Sequence, residues 1–299
     1  MASPRLTNPV ALSTLPAPGK EDGMALTVAV IAQGEMGSGI AHRLTSKGAR
    51  VLTSLKGRSP ASAKRAAEAG MEVIDDDARL VAAADLLFSV IPPGEAVPFA
   101  RRFAPVLATA AKKPIFIEGN AISPQRVKEV AAIIEPAGCP FVDGGIVGGA
   151  PSPERSGARI YVSGPDAARA LALRDYGLDI RQVEGGIGAA SALKCSYAAL
   201  TKGTQALGVA LILGAMHAGV ESPLRGEWAS SQAALGDFLR RQIPNMYRKA
   251  YRWVAEMEEI GDYLGETEPG AREIYRGMAR LYENLGPDQI ATLDKFLER

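Results

Sequence analysis

Short apolar runs rich in Val, Ile and Leu alternate with helical segments from residue 24 to about 184, and beyond about 185 only the helical pattern continues. This alternation constrains the fold more than any other feature of the chain. A strand, a crossover helix and a second strand return the chain to the same end of a sheet, so the strands lie parallel with helices on both faces. The strand candidates are 26–31, 50–54, 72–74, 86–91, 115–118, 141–142, 160–162 and 180–183. An α/β domain with a doubly wound parallel sheet is therefore expected over 24–185, followed by an all-α domain over 186–299. Some helix ends are legible: Ser123 before Pro124 offers a cap and a first-turn proline, and Lys47 before Gly48 a basic last turn and a C-terminal glycine. In the second half, breaks are expected at Pro223, Pro244, Pro269 and Pro287.

Composition narrows the function mainly by exclusion. The 299 residues carry a formal charge of +1, which offers no general polycation for nucleic acid or an anionic membrane, so a small-molecule partner is expected. The two cysteines, Cys139 and Cys195, have no metal-ligand spacing and fit a reducing cytoplasm, with Cys195 expected in core packing. The two histidines, His42 and His217, leave little material for a metal site or a Ser/His/Asp triad. Residues 1–23, rich in Pro, Ser, Thr and Gly, read as a disordered leader. Residues 203–220 carry no Asp, Glu, Lys or Arg and approach the length of a membrane span, but their glycines, Gln205 and His217 favour a buried core helix.

In "LTVAVIAQGEMGSGIAHRL" an apolar strand runs directly into Gly34 and Gly37 and then into a helix with Met36, Ile40 and Leu44 on one face. Gly34 would let a pyrophosphate approach the backbone, Gly37 would let helix pack on strand, and the N–H groups of Gln33 to Gly37 surround the positive end of the helix dipole. Ala32 replaces the first glycine of G-x-G-x-x-G. The turn opens the first βαβ unit, the context in which it marks a Rossmann-type dinucleotide site. An NAD site places an acidic residue after the second strand, yet none occurs from Met36 to Ala67. NADP(H) is therefore expected over NAD(H), with Arg58 paired to the 2'-phosphate, Ser59 donating a hydroxyl and Lys56 as a second charge.

Downstream, "EGGIGAASALKCSYAALTKG" opens a long apolar helix, with Gly185 and Gly188 nine and six residues before Lys194. With the glycine turn, this segment resembles the β-hydroxyacid dehydrogenase superfamily, which includes 3-hydroxyisobutyrate and 6-phosphogluconate dehydrogenases and, more distantly, imine reductases. The resemblance runs over 24–219 by motif and beyond it by helical organisation. "LKCSYAALTKG" and "AYRWVAEMEEI" look like a branch with a 6-phosphogluconate-dehydrogenase-like NAD-binding domain and its own helical C-terminal domain.

The resemblance implies that Lys194 is the general acid/base and that the chain forms a homodimer burying the long helix. It places Ile91 and Pro92 of "FSVIPPGEA" against the nicotinamide ribose, with Asn120 of "IEGNAISP" as a hydrogen-bonding residue for ribose or substrate. In the substrate loop "FVDGGIVGGAP", Val147 stands before Gly148 and Gly149 where the family has serine. The asparagines three and four residues after the lysine are Tyr197 and Ala198 here, and Glu256-Met257 replaces a Lys-Asp pair. Helical spacing puts Tyr197 on the face of Lys194, where it could orient substrate, and Lys202, at i+8, near that face as a second ammonium. Tyr247, Tyr251 and Trp253 read as helix packing. The expected activity is hydride transfer between nicotinamide and a CH–OH/C=O group. Reduction of an imine and a non-catalytic, redox-responsive dinucleotide-binding module are the alternatives.

Overall fold

A computed structural model describes residues 25–298, so the leader lies outside the described residues. The strands are β1 (Thr27–Ile31), β2 (Arg50–Thr53), β3 (Glu72–Val73), β4 (Leu86–Ser89), β5 (Ile115–Glu118), β6 (Phe141–Val147), β7 (Arg159–Ser163) and β8 (Asp179–Gln182). They form one sheet in the order β3-β2-β1-β4-β5-β6-β7-β8. Helices α1 (Glu35–Ser46), α2 (Pro60–Glu68), α3 (Asp77–Ala83), α4 (Ala96–Thr109) and α5 (Pro124–Ile134) cross over between the first strands. Residues alternate across the sheet, so Val28 and Val30 enter one core while Ala29 and Ile31 enter the other. Ser59, Asp76 and Ser123 cap α2, α3 and α5 through side-chain oxygens.

The sheet departs from the expected parallel order at one place. β6 and β7 pair antiparallel, while β8 runs parallel to β7. No helix intervenes between β6 and β7, and without a crossover the chain returns in the opposite direction. β6 also runs five residues past its expected end at 142, because its far half pairs with β7 from Asp143↔Ser163 to Val147↔Arg159.

The remaining chain is helical: α6 (Ala189–Ala218), α7 (Glu221–Ser231), α8 (Ala233–Met246), α9 (Ala250–Leu264), α10 (Pro269–Glu283) and α11 (Pro287–Leu297). α6 is the axis of this half, and Val209, Ile212 and Ala206 on it share a core with Leu239, Ile243, Met257 and Phe296. It is long and apolar enough to cross a membrane by composition, but its buried side belongs to this core. Pro269 and Pro287 begin helices as expected and Pro223 sits in the first turn of α7, just past the break at 219–220, whereas Pro244 lies inside α8. First-turn N–H groups have no intrahelical acceptor to lose, so Pro223 is tolerated there. The actual breaks on either side of α8 fall at Gln232 and at 247–249. Glu259 of α9 ties the halves together, accepting from Ser123 N at 2.8 Å and pairing with Arg126 of α5.

Candidate active site

The C-terminal ends of the parallel strands face α6 and α9 across a cleft of about 760 Å³. In open α/β sheets this is where ligands bind, outside the carboxyl ends of the strands. At its start Gly34 caps α1 with φ −73° and ψ −178°, and no atom stands within 4 Å of the place a Cβ would occupy. At Gly37 a Cβ would lie 1.8 Å from the Ala32 carbonyl oxygen, so α1 can sit this close to the strand end only without a side chain there. The two glycines thus do different work. Gly34 leaves open backbone over the free N–H groups of α1, a cradle that fits a pyrophosphate, and Gly37 seats the helix.

Around this turn the expected residues divide. Met36 lines the cleft while packing on the core of the α1 face. Glu35 also lines the cleft, exposed and 3.8 Å from Arg252 of α9 on the facing wall. Gln33 is buried, and its Nε2 donates to Thr53 Oγ1 and, at 2.9 Å, to the Ser54 carbonyl. Its amide nitrogen joins the ends of β1 and β2, while its Oε1 has no partner among the described residues. Past β2, Arg58 lines the cleft, but Lys56 and Ser59 do not. A turn closed by Arg58 N on the Leu55 carbonyl at 2.9 Å leaves Lys56 outside the wall, and the Ser59 hydroxyl accepts from Ser62 N at 3.3 Å to cap α2. The second cation on that wall is Arg65, whose Nε donates to the Gln33 carbonyl at 2.6 Å. Sequence reasoning missed it, because Arg58 lies in the turn before α2 and no helical spacing links the two.

Ile91, Pro92 and Asn120 line the cleft at the ends of β4 and β5. Asn120 Oδ1 accepts from Ile91 N at 2.6 Å and its Nδ2 donates to Ser89 Oγ at 3.0 Å. The amide thus holds the two strand ends together at the wall of the cleft. Just before it, the buried Glu118 accepts from Asn120 N at 3.0 Å through Oε1, while Oε2 has no partner. Burial, reinforced by the charge of Asp143, outweighs these hydrogen bonds and lifts the Glu118 carboxyl to about 8.

β6 and α6 build the other wall. A Cβ on Gly145 would stand 2.4 Å from the Ala190 carbonyl oxygen and 3.0 Å from Lys194 Cβ, so the bare backbone of β6 is what admits the start of α6. Asp143 fixes that start. Its Oδ2 accepts from Gly188 N, Ser191 N and Ser163 Oγ at 2.9, 3.1 and 2.9 Å, and its Oδ1 from Ser191 Oγ at 2.6 Å. A buried carboxylate thereby satisfies N–H groups that a helix N-terminus leaves free, with a favourable dipole. The sequence pass overlooked this anchor, since Asp143 lies 45 residues from the nearest backbone N–H it caps. Beyond it, Val147, Gly148 and Gly149 all line the cleft, Val147 from a buried position at the end of β6.

One turn into the cleft, Lys194 Nζ lies 3.2 Å from Glu256 Oε2 of α9. Lys202 Nζ pairs with the same oxygen and sits 4.8 Å over the Trp253 ring. All three charged side chains are mostly covered, at 15, 17 and 16% exposure for Lys194, Lys202 and Glu256. Burial would raise the Glu256 carboxyl, but the charges of Lys194 and Lys202 overcome it and hold the group down at about 2. Burial also dominates at Lys202, drawing its ammonium down to about 8 against the pull of Glu256. Tyr197 and Ala198 line the cleft as the helical spacing predicts. Tyr251 and Trp253 line it too, whereas Tyr247 packs away and donates to Asp294 Oδ1 at 2.9 Å; the aromatic set is thus only partly packing. Cys195 is buried, its thiol pushed up to about 12 chiefly by burial.

A glycine turn feeding a helix N-terminus, facing a lysine on a helical domain, defines a nicotinamide-dinucleotide-dependent oxidoreductase acting on a small molecule. Residues 27–174 match the NAD binding domain of 6-phosphogluconate dehydrogenase, and 215–285 match a domain of unknown function, DUF1932. A solved conserved protein of unknown function, described as structurally similar to 3-hydroxyacid dehydrogenases, is 30% identical, with a TM-score of 0.67 over 89% of this chain and 99% of that one. The 3-hydroxyisobutyrate dehydrogenase of Mycobacterium tuberculosis, solved with L-serine, shares the fold at 21% identity and a TM-score of 0.65, over 87% of this chain and 95% of that one. A probable 3-hydroxyisobutyrate dehydrogenase of Mycobacterium bovis is 33% identical over 125 residues, spanning 41% of this chain and only 40% of that protein. The chain belongs to the β-hydroxyacid dehydrogenase superfamily, in a branch with a distinct helical C-terminal domain.

Proposed function

We propose that the protein is an NADP(H)-preferring oxidoreductase that interconverts CH–OH and C=O, with Lys194 as general acid/base. The observation that carries this reading is the placement of Lys194 Nζ in the cleft, mostly covered, and held at 3.2 Å by a carboxylate from the facing helix. Bound nicotinamide dinucleotide supplies or accepts the hydride. The backbone of residues 33–37 would cradle its pyrophosphate, and Arg58 and Arg65 would hold the 2'-phosphate. In reduction the Lys194 ammonium donates its proton to the carbonyl oxygen as charge develops there; in oxidation the neutral amine takes the hydroxyl proton. Glu256 keeps the amine from swinging away, while Ile91, Pro92 and Trp253 displace water from the reacting atoms. Half-exposed Leu200, Leu207 and Leu211 follow one another along one side of α6, which supports a homodimer closed on that helix.

The test is a screen of hydroxyacids, polyols and keto acid plus amine mixtures for substrate-dependent change in NADPH absorbance. Lys194→Met abolishes the turnover found and leaves NADPH binding intact; equal turnover in that variant sinks the assignment. A protein that binds NADPH but oxidises it with no substrate would be the binding module instead. Arg58→Ala weakens NADPH binding at least about tenfold, the loss of a charge-assisted phosphate contact, and leaves NADH binding unchanged. Tighter binding of NADH than NADPH by the unmodified protein would overturn the cofactor preference.

A further inference from the structure

Two helices, α1 and α9, begin at opposite walls of the cleft, and neither has a side-chain hydrogen bond from its N-cap. Their charges differ in sign. α1 opens at Gly34 with Glu35 in its first turn, an acid at the positive end of the helix dipole, where it is favoured. α9 opens at Lys249, carries no acid in its first turn, and presents Lys249 and Arg252 to the cleft. The same dipole disfavours cations at that end of a helix, so the start of α9 gathers positive charge that nothing in its own turn offsets.

Arg252 meets Glu35 across the cleft at 3.8 Å, with both groups well exposed. A pair of that kind adds little stability, so it exchanges readily for a stronger partner. Glu35 is the first residue of α1, which sets the guanidinium within a side chain's reach of the open backbone at Gly34. The sheet half's own cations on the cleft, Arg58 and Arg65, lie past β2, on the side given above to the 2'-phosphate. A pyrophosphate over Gly34 would therefore find N–H groups beneath it and, from the same half, an acid beside it. Like charges at one helix end repel, and a cation between them reverses the balance.

We infer that Arg252, with Lys249 at the start of α9, is the helical half's contact to the cofactor pyrophosphate: on binding, its guanidinium exchanges the Glu35 carboxylate for phosphate oxygens and draws α9 over the dinucleotide. A guanidinium suits this task, because its planar fork takes two phosphate oxygens at once. The pyrophosphate is common to NADH and NADPH, so the contact adds affinity for both without choosing between them. That separates Arg252 from Arg58, whose proposed partner only NADPH carries. The inference rests on the dinucleotide-dependent reading of the cleft, and it can be tested without turnover.

The test is calorimetric binding at low ionic strength with NADPH, NADH and two fragments. ADP-ribose carries the pyrophosphate without nicotinamide or 2'-phosphate, and adenosine 2'-monophosphate carries no pyrophosphate. Arg252→Ala is expected to weaken ADP-ribose, NADH and NADPH by one common factor of at least about tenfold, the scale of a charge-assisted phosphate contact, and to leave adenosine 2'-monophosphate unchanged. Arg58→Ala does the reverse between the two fragments. Arg252→Lys recovers part of the loss, and thermal unfolding checks the fold of each variant. Glu35→Gln tightens ADP-ribose severalfold, because the competing and repelling carboxylate is gone. If the pair were only a tie between the two halves, Glu35→Gln would weaken binding as Arg252→Ala does. ADP-ribose binding undiminished in Arg252→Ala, equal losses for the two fragments, or weaker ADP-ribose binding in Glu35→Gln overturns the contact. The failures are distinguishable: an unmodified protein that binds neither ADP-ribose nor either dinucleotide removes the dinucleotide reading itself, whereas NADPH binding indifferent to Arg252→Ala removes the contact alone.

Discussion

Replacing each of the two turn glycines by alanine separates ligand approach from packing. At Gly34 the backbone is extended, a conformation any residue adopts, and a Cβ would meet nothing within 4 Å. Gly34→Ala therefore leaves the folded state unstrained and narrows the unfolded ensemble, a gain of about 0.4–1 kcal/mol in the favourable case. The added methyl projects into the open backbone where a pyrophosphate must come within hydrogen-bonding distance of the α1 N–H groups. Forcing it outward weakens those contacts, and a loss of about 1.4–2.8 kcal/mol corresponds to a ten- to hundredfold rise in the NADPH Kd. At Gly37 a Cβ would stand 1.8 Å from the Ala32 oxygen and 3.0 Å from its carbonyl carbon, both backbone atoms that cannot rotate away. α1 must shift by more than 1 Å, and overpacking of this kind costs about 1–3 kcal/mol or more. Thermal unfolding and NADPH fluorescence enhancement read the two effects independently. The expected result is a stable Gly34→Ala protein with poor NADPH binding, and a destabilised Gly37→Ala protein. NADPH binding by Gly34→Ala as tight as that of the unmodified protein would refute pyrophosphate approach at this turn.

Two other substitutions probe the opposite wall and the sheet. Gly145→Ala places a Cβ 2.4 Å from the Ala190 oxygen and 3.0 Å from Lys194 Cβ, pushing the start of α6 off β6. Turnover is expected to fall about 10²-fold, the usual cost of a 1 Å misplacement, with NADPH Kd unchanged within about twofold; normal kcat in the variant contradicts the packing argument. Glu118→Gln tests the buried carboxyl. Because the folded state holds this proton up to about 8, against 4.5 as the ordinary value, its contribution to stability is full below 4.5 and is lost as pH rises through 8. The amide has no such loss, so unfolding curves of the variant should gain on those of the parent, by on the order of a few kcal/mol, between pH 5 and 9. A difference that stays flat over that range would show that Glu118 titrates normally.

Much of this architecture was legible because it depends on local pattern. All eight expected strands form, and the central ones, such as β1 and β4, are short apolar runs bounded by turn residues; the switch to helices near 185 holds as well. Features set by long-range pairing were not legible. The reversal at β7 depends on whether the β6–β7 connection contains a helix, and the true end of β6 on a partner strand that supplies hydrogen bonds to Asp143 through Val147. Pro223, Pro269 and Pro287 each lie in a first turn just past a break, where the missing N–H costs little, but Pro244 lies inside α8. In the site, positions on one helix could be read by spacing, so Lys194, Tyr197 and Lys202 share the cleft as expected. Groups that meet across elements could not be read that way. Glu256 lies 62 residues from Lys194, and Arg65 joins Arg58 only because α2 folds back on the β1 turn. Asn120 adds a further role that spacing does not reveal: from the cleft wall its amide also ties together the ends of β4 and β5.

The position of Lys194 is therefore the product of two separate anchors. From the sheet side, Asp143 and Ser163 hold the first turn of α6, and the missing side chain of Gly145 sets how near β6 that turn lies. From the helical side, Glu256 reaches Lys194 only because α9 is held in place, and Glu259, three residues on, binds the N-terminus of α5. The amine is thus held from both halves of the chain, as the proposed proton transfer at the substrate oxygen requires, because placement within about an ångström governs its rate. Val147, the last residue of β6, takes part in neither anchor, so the support of the amine does not depend on the side chain at that position.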